Sequence, residues 1–147
     1  MKNIELFNLT VAEVLGMCYE NFPERIDIKY SVIADKVLGY YDIHSIDDQP
    51  AFLTQLIDIC TATITWLEQA GFIWVKGRNN DNFYRVTLSS KGLELLNLVP
   101  DSLTNVSIGE SFIKGTKSVA KETVLAAIKL VLSEGTKLLM KGAIPVA

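Results

Sequence analysis

Apolar residues first recur at Val11, Val14, Leu15, Cys18 and Phe22, which share one face of a 3.6-residue repeat. Thr10 stands three residues ahead of Glu13, the spacing of a capping box, so a helix is predicted to open at Thr10 and to stop at Pro23. Ile26 and Ile28 alternate with charged residues and predict a short strand or an extended link. Ser31 is expected to cap a second helix through Val32, Ile33, Ala34, Val37 and Leu38, with Gly39 as its terminator. Tyr40 to Gln49 reads as an acidic turn. Pro50 suits the first turn of a third helix, with Asp48 or Gln49 as cap. Its face is Leu53, Leu56, Ile57, Cys60, Ile64 and Leu67, and it closes at Ala70-Gly71. β-Branched residues over 61–65 leave a kink or split there open.

The period then changes. Phe72 to Val75 is an apolar run of strand length, Lys76 to Asn82 is a polar turn by composition, and Phe83 to Leu88 returns as a second strand. The pair predicts a β-hairpin. Ser89 or Ser90 then caps a helix through Lys91, Gly92, Leu93, Leu95 and Leu96 towards Pro100. Residues 101–110 read as a linker. A C-terminal amphipathic helix is predicted from about Ser111 to Lys141, with Gly115 and Gly135 as weak points.

The order helix, strand, helix, helix, hairpin, helix resembles the winged helix-turn-helix superfamily of small bacterial regulators. The segments that carry the resemblance are Ile64-Thr-Trp-Leu-Glu-Gln-Ala-Gly-Phe-Ile73, similar to a recognition helix entering the wing, and Val86-Thr-Leu-Ser-Ser-Lys-Gly-Leu-Glu-Leu-Leu96, similar to the exit from it. The expected fold class is mainly α with a β-hairpin wing (α+β winged helix) plus the C-terminal helix. The expected division is residues 1–100, a linker at 101–110, and an arm at 111–147. The likeness covers about residues 10–100 and leaves the arm unmatched. The ten residues from Tyr40 to Gln49 lengthen a turn that is short in such regulators.

The resemblance implies a third helix in the DNA major groove with the wing beside it. Charge argues against this. The helix over 49–71 holds no Lys or Arg and carries Asp58 and Glu68, whereas phosphate contacts supply most DNA affinity. Residues 1–106 hold 8 Lys and Arg against 14 Asp and Glu, net −6, while residues 107–147 hold 6 Lys against 3 Glu, net +3. The resemblance turns Thr61, Ala62, Thr65, Trp66 and Gln69 outward, and the wing adds Lys76, Arg78 and Arg85 with Lys91 beyond it. These are the candidate partner- or DNA-binding residues. Trp66 is either covered by another part of the chain, for which the C-terminal arm is available, or is a contact anchor. A protein partner is therefore favoured over duplex DNA.

Ala120, Val124, Ala127, Val131 and Leu138 form a stripe at alternating spacings of four and three, interrupted by Glu134 on the same stripe. Pairing with a second copy in a homodimer is its first reading. Folding back on the chain's own domain and lying on an anionic membrane are the alternatives.

Nothing in the sequence points to catalysis. His44 is the single histidine, so a metal site would rest on carboxylates alone, and Asp42, Asp47 and Asp48 match no calcium loop. Cys18 and Cys60 lie far apart and read as buried free thiols. No nucleophile or phosphate-loop motif occurs, and no cofactor or metal is implied. The absence of a signal-like N-terminus or a long apolar span makes cytoplasmic residence the expectation. The function expected is that of a non-catalytic interaction module (a regulator, adaptor or inhibitor), with a DNA-binding transcriptional regulator using the 49–71 helix and the 76–85 wing as the alternative.

Overall fold

A computed structural model describes residues 3–80, 82–98, 106–119 and 121–131. The protein is mainly helical with a small four-stranded antiparallel sheet. Its first helix, α1 (Asn3–Asn21), starts well before Thr10. The predicted capping box does not form, because Thr10 lies in mid-helix and its hydroxyl donates to the Leu6 carbonyl at 2.8 Å. That bond satisfies a buried hydroxyl inside the helix. The helix ends before Pro23, which follows a cis peptide bond.

α1 is the axis of the molecule. Every residue from Leu9 to Gly16 is buried, a pattern expected of a helix covered on more than one side. The α3 helix (Gln49–Gln69) packs along one side, where Gln55 donates to Asn3 Oδ1 at 2.6 Å and Thr10 Oγ1 lies 3.5 Å from Cys60 Sγ. The C-terminal helix α5 (Ile108–Lys117) packs along another. Gly109 meets the Tyr19 ring so closely that an added Cβ would lie 2.6 Å from it, and Gly16 faces Phe112.

The strand β1 (Ile26–Lys29) leads into α2 (Tyr30–Leu38), which starts at Tyr30 without a side-chain cap. Ser31 is therefore inside the helix and not its cap. The acidic turn contains a 3-10 turn at Ile43–Ser45, and its carboxylates cap helices: Asp42 accepts from His44 N, and Asp48 accepts from Ala51 N to open α3. α3 runs unbroken. Its buried residues are Phe52, Leu56, Cys60, Thr63, Ile64 and Leu67, while Leu53 and Ile57 sit at the exposed edge of the stripe. Gly71, with φ +84°, takes the left-handed conformation that releases the chain from the helix at little steric cost.

β4 (Asn82–Leu88) is the centre of the sheet, with β1 on one side and β2 (Ile73–Trp74) and β3 (Gly77–Arg78) on the other. Part of the predicted polar turn is thus strand, since Gly77 pairs with Tyr84 and Arg78 with Phe83. Ser89 accepts from Gly92 N at 3.0 Å, caps α4 (Ser90–Asn97), and donates to the Gly71 carbonyl at 2.5 Å. Gly92 is needed at this junction, because a Cβ there would collide with the backbone carbonyl of Phe72.

The predicted linker is partly helix: Ser107 caps α5, accepting from Glu110 N at 3.0 Å. α5 ends in a turn at residues 118–119, where Val119 has φ 52°. A further helix, α6, covers residues 121–131. Ile108, Phe112, Val124, Ala127, Ile128 and Val131 are buried in the same apolar cluster as α1. Among the described residues no helix is long and apolar enough to cross a membrane.

Candidate functional site

The residues expected on the outer face of α3 divide into two groups. Thr65 and Glu68 are held by the hairpin: Arg78 ion-pairs with Glu68 and donates to Thr65 Oγ1 at 3.2 Å, with its guanidinium 5.3 Å from the Phe83 ring centre. Thr61 donates to the Ile57 carbonyl at 3.1 Å, and Gln69 is exposed. The Arg78 contacts brace the hairpin against α3 and remove one cation from the surface available to a polyanion.

Trp66 belongs to the second group. The residue is 43% exposed, and its ring stands edge-on to Phe7 of α1, with centres 5.2 Å apart, and 6.2 Å from Phe72. The aromatic cover described for it is therefore α1 and the start of the hairpin. Lys91 lies 4.4 Å above the other partner, Phe72, and donates to the Ala70 carbonyl at 3.0 Å. Lys91 is thus engaged in joining α4 to the end of α3.

Between Trp66 and the first turns of α1 lies an open cleft of about 400 Å³, lined by Asn3, Ile4, Phe7, Ile59, Ala62, Thr63 and Trp66. Asn3 and Thr63 are its only polar lining residues, and the Thr63 hydroxyl is turned back onto the Ile59 carbonyl at 2.6 Å. Ile4 beside it is 59% exposed. Sequence reasoning missed this α1 wall by opening the helix at Thr10. The apolar spacing of Ile4, Phe7 and Val11 was the signal that could have extended it.

The remaining wing cations lie apart from that cleft. Lys76 and Arg85 are exposed, and their side chains make no ion pair or hydrogen bond among the described residues. Arg85 has φ 52° and sits where the β1–β4 register shifts. An extra residue on one strand is a β-bulge, which turns a side chain away from the regular pleat. The strained backbone is fixed on both sides: Arg85 N donates to Asp27 Oδ1 at 3.0 Å, and Arg25 donates to the Arg85 carbonyl at 2.9 Å.

The described part of the stripe expected to pair with a second copy is buried within the chain. Val124, Ala127 and Val131 are at most 5% exposed; Ala120 and Leu138 lie outside the described residues. The physical reason is that these residues join the chain's one apolar cluster, where Val124 packs against Gly115 of α5. Lys121 fixes the docking by pairing with Glu5 while its ammonium lies 4.6 Å from the Tyr41 ring centre. That hydrogen bond, the largest influence on Glu5, helps hold its carboxyl below the ordinary range.

Cys18 and Cys60 are buried free thiols, and burial pushes them up to about 12 and about 11. Thiols so rarely ionised are poor nucleophiles. No group of three His, Cys, Asp or Glu residues that could hold a metal occurs among the described residues. Comparison of the chain with models of protein families, with curated proteins and with solved structures finds no match.

Proposed function

We propose that this chain is a non-catalytic protein-binding module with a winged-helix arrangement, in which α3 and the β2–β4 hairpin frame the contact surface. The observation that carries the reading is the apolar cleft beside Trp66. Trp66, Phe7 and Ile59 are fixed on two rigid helices, and the cleft offers almost no polar group to orient a soluble small ligand. Such a surface suits an apolar side chain presented by a partner's helix or loop, with Trp66 as the anchor. Within this reading the module acts as a regulator, adaptor or inhibitor in the cytoplasm. A homodimer would need surface other than the buried Val124, Ala127 and Val131.

A second reading, duplex DNA binding, rests on the outward-turned Arg85 and on Lys76. It has fewer cations than the sequence suggests, because Arg78 and Lys91 are already engaged. The two readings separate in one capture experiment on native lysate with wild type, Trp66→Ala, and a Lys76→Ala/Arg85→Ala pair. The proposal expects a defined protein to be lost at least about tenfold with Trp66→Ala, as for an anchor residue. Recovery of nucleic acid that is lost with the paired variant and survives Trp66→Ala would overturn it.

A further inference from the structure

On another flank of α1, a second cleft of about 280 Å³ opens between α1, α2 and the end of α5. Its wall includes Glu13, which is only 6% exposed. No hydrogen bond or ion pair reaches the Glu13 carboxyl from any described residue. Its oxygens are not among the fully enclosed unpaired atoms, so the carboxyl, which lines the cleft, keeps a little water contact that only partly replaces a protein donor.

The surrounding charges decide what the cavity accepts. Glu20 and Asp35 add two carboxylates; Lys36 and Lys117 add two cations. Lys117 is already paired with Glu20 at 2.7 Å, which leaves Glu13 and Asp35 against Lys36. The excess is negative. Met17 and Val119 supply apolar wall, and Val119 is 48% exposed beside its left-handed turn. One buried carboxyl is too few ligands for a metal ion. The volume lies near the small end of ligand cavities, about 300–1,000 Å³.

We infer that this cleft is a binding site for a small primary amine, whose ammonium group donates to the Glu13 carboxylate while its short apolar body rests on Met17 and Val119. Asp35 at the rim reinforces the preference for a cation. The ligand supplies the donors that the fold withholds from Glu13. The site is separate from the Trp66 cleft and does not depend on the role proposed for it.

The test uses the full chain and three probes of one shape: 2-phenylethylamine as the cation, 2-phenylethanol as the neutral analogue, and 3-phenylpropanoate as the anion. Titrations are followed by amide NMR at neutral pH, with Gly16 and Gly39 as reporters because both line the cleft. The expected result is saturable binding of the amine that moves both reporters, with the alcohol at least about tenfold weaker, the value of one charge-assisted hydrogen bond. Glu13→Gln is expected to weaken the amine about tenfold without weakening the alcohol, and Asp35→Asn to weaken it by a smaller factor. Trp66→Ala leaves it unchanged. Equal binding of the three probes, preference for the anion, amine affinity indifferent to Glu13→Gln, shifts confined to Phe7 and Trp66, or no saturation by about 10 mM would each overturn the inference.

Discussion

The two clefts lie on different flanks of the same helix and are built from opposite materials. Towards α3, α1 presents Ile4 and Phe7, and the space left beside Trp66 is apolar and open. Towards α2 and α5 it presents Glu13, Gly16 and Glu20, and the space left there holds a buried carboxyl. An apolar cleft exposed to water loses the favourable burial that a partner would restore. A buried carboxyl instead loses hydration, which only a donor can replace. The first kind of vacancy favours shape and area; the second favours charge and hydrogen bonding. One helix can therefore carry two recognition surfaces of different chemistry, provided its remaining faces are covered by other elements.

That cover is the strongest point at which to break the comparison. Phe112 is fully buried against α1, and Phe112→Ala is expected to cost about 3–5 kcal/mol, measured by denaturant unfolding. Ending the chain at residue 106 exposes the same flank, and circular dichroism on heating is expected to show loss of the cooperative transition. A truncated chain that melts cooperatively at the full-length temperature would show that α5 and α6 are accessories.

Trp66→Ala tests the apolar flank. Losing the edge-on contact with Phe7 and a half-buried ring is expected to cost about 1–2 kcal/mol, a smaller loss than at Phe112 because the ring is partly solvated already. Partner capture should fall far more than stability does. If the stability loss matches that of Phe112→Ala, Trp66 is a core residue and the contrast between exposed anchor and buried cover fails.

Glu13→Gln tests the polar flank with the opposite sign. Burial raises the Glu13 carboxyl above its ordinary range, with Lys36 acting weakly against it. A folded-state value above the unfolded one favours folding while the group is protonated, at low pH, and that stability is lost as pH rises through the folded value. The variant is therefore expected to be more stable than wild type at pH 7, by about 1 kcal/mol, with the difference shrinking in acid. Thermal melts across pH check this; a variant less stable at pH 7 would mean that the carboxylate is satisfied.

The smallest expected effect is at Lys121. Its partner Glu5 titrates below the ordinary range, chiefly through the Lys121 hydrogen bond and also through a 2.9 Å bond from Tyr41. That stability is present above the unfolded carboxylate range and is lost as pH falls through the depressed value. Both side chains remain about a third exposed, so Lys121→Ala is expected to cost only about 0.5 kcal/mol at neutral pH, and less once Glu5 is protonated and only the Tyr41 ring contact is left. Chemical denaturation at two pH values resolves it.

Periodicity and punctuation by themselves determined most of the element order: the stops at Pro23 and Gly71, an extended segment at Ile26 and Ile28, caps narrowed to Asp48 or Gln49 and to Ser89 or Ser90, and the strand ending at Leu88. These are local facts, since a cap or a missing N–H acts within a few residues of its own position. The starts of α1 and α5 are less legible, because Thr10 and Ser111 resemble openings locally but lie inside helices whose burial is set elsewhere. Only the tertiary structure decided how side chains of mixed character were used. Glu13 looked like half of a capping box and is a buried carboxyl in a cleft; Arg78 and Lys91 looked like free cations and are bound to α3 and its end. Val124, Ala127 and Val131 looked like a seam for a second copy, and the chain's own apolar cluster takes them in. An apolar stripe records that a face must be covered. Which surface covers it depends on what the rest of the chain leaves exposed, and no local spacing carries that information.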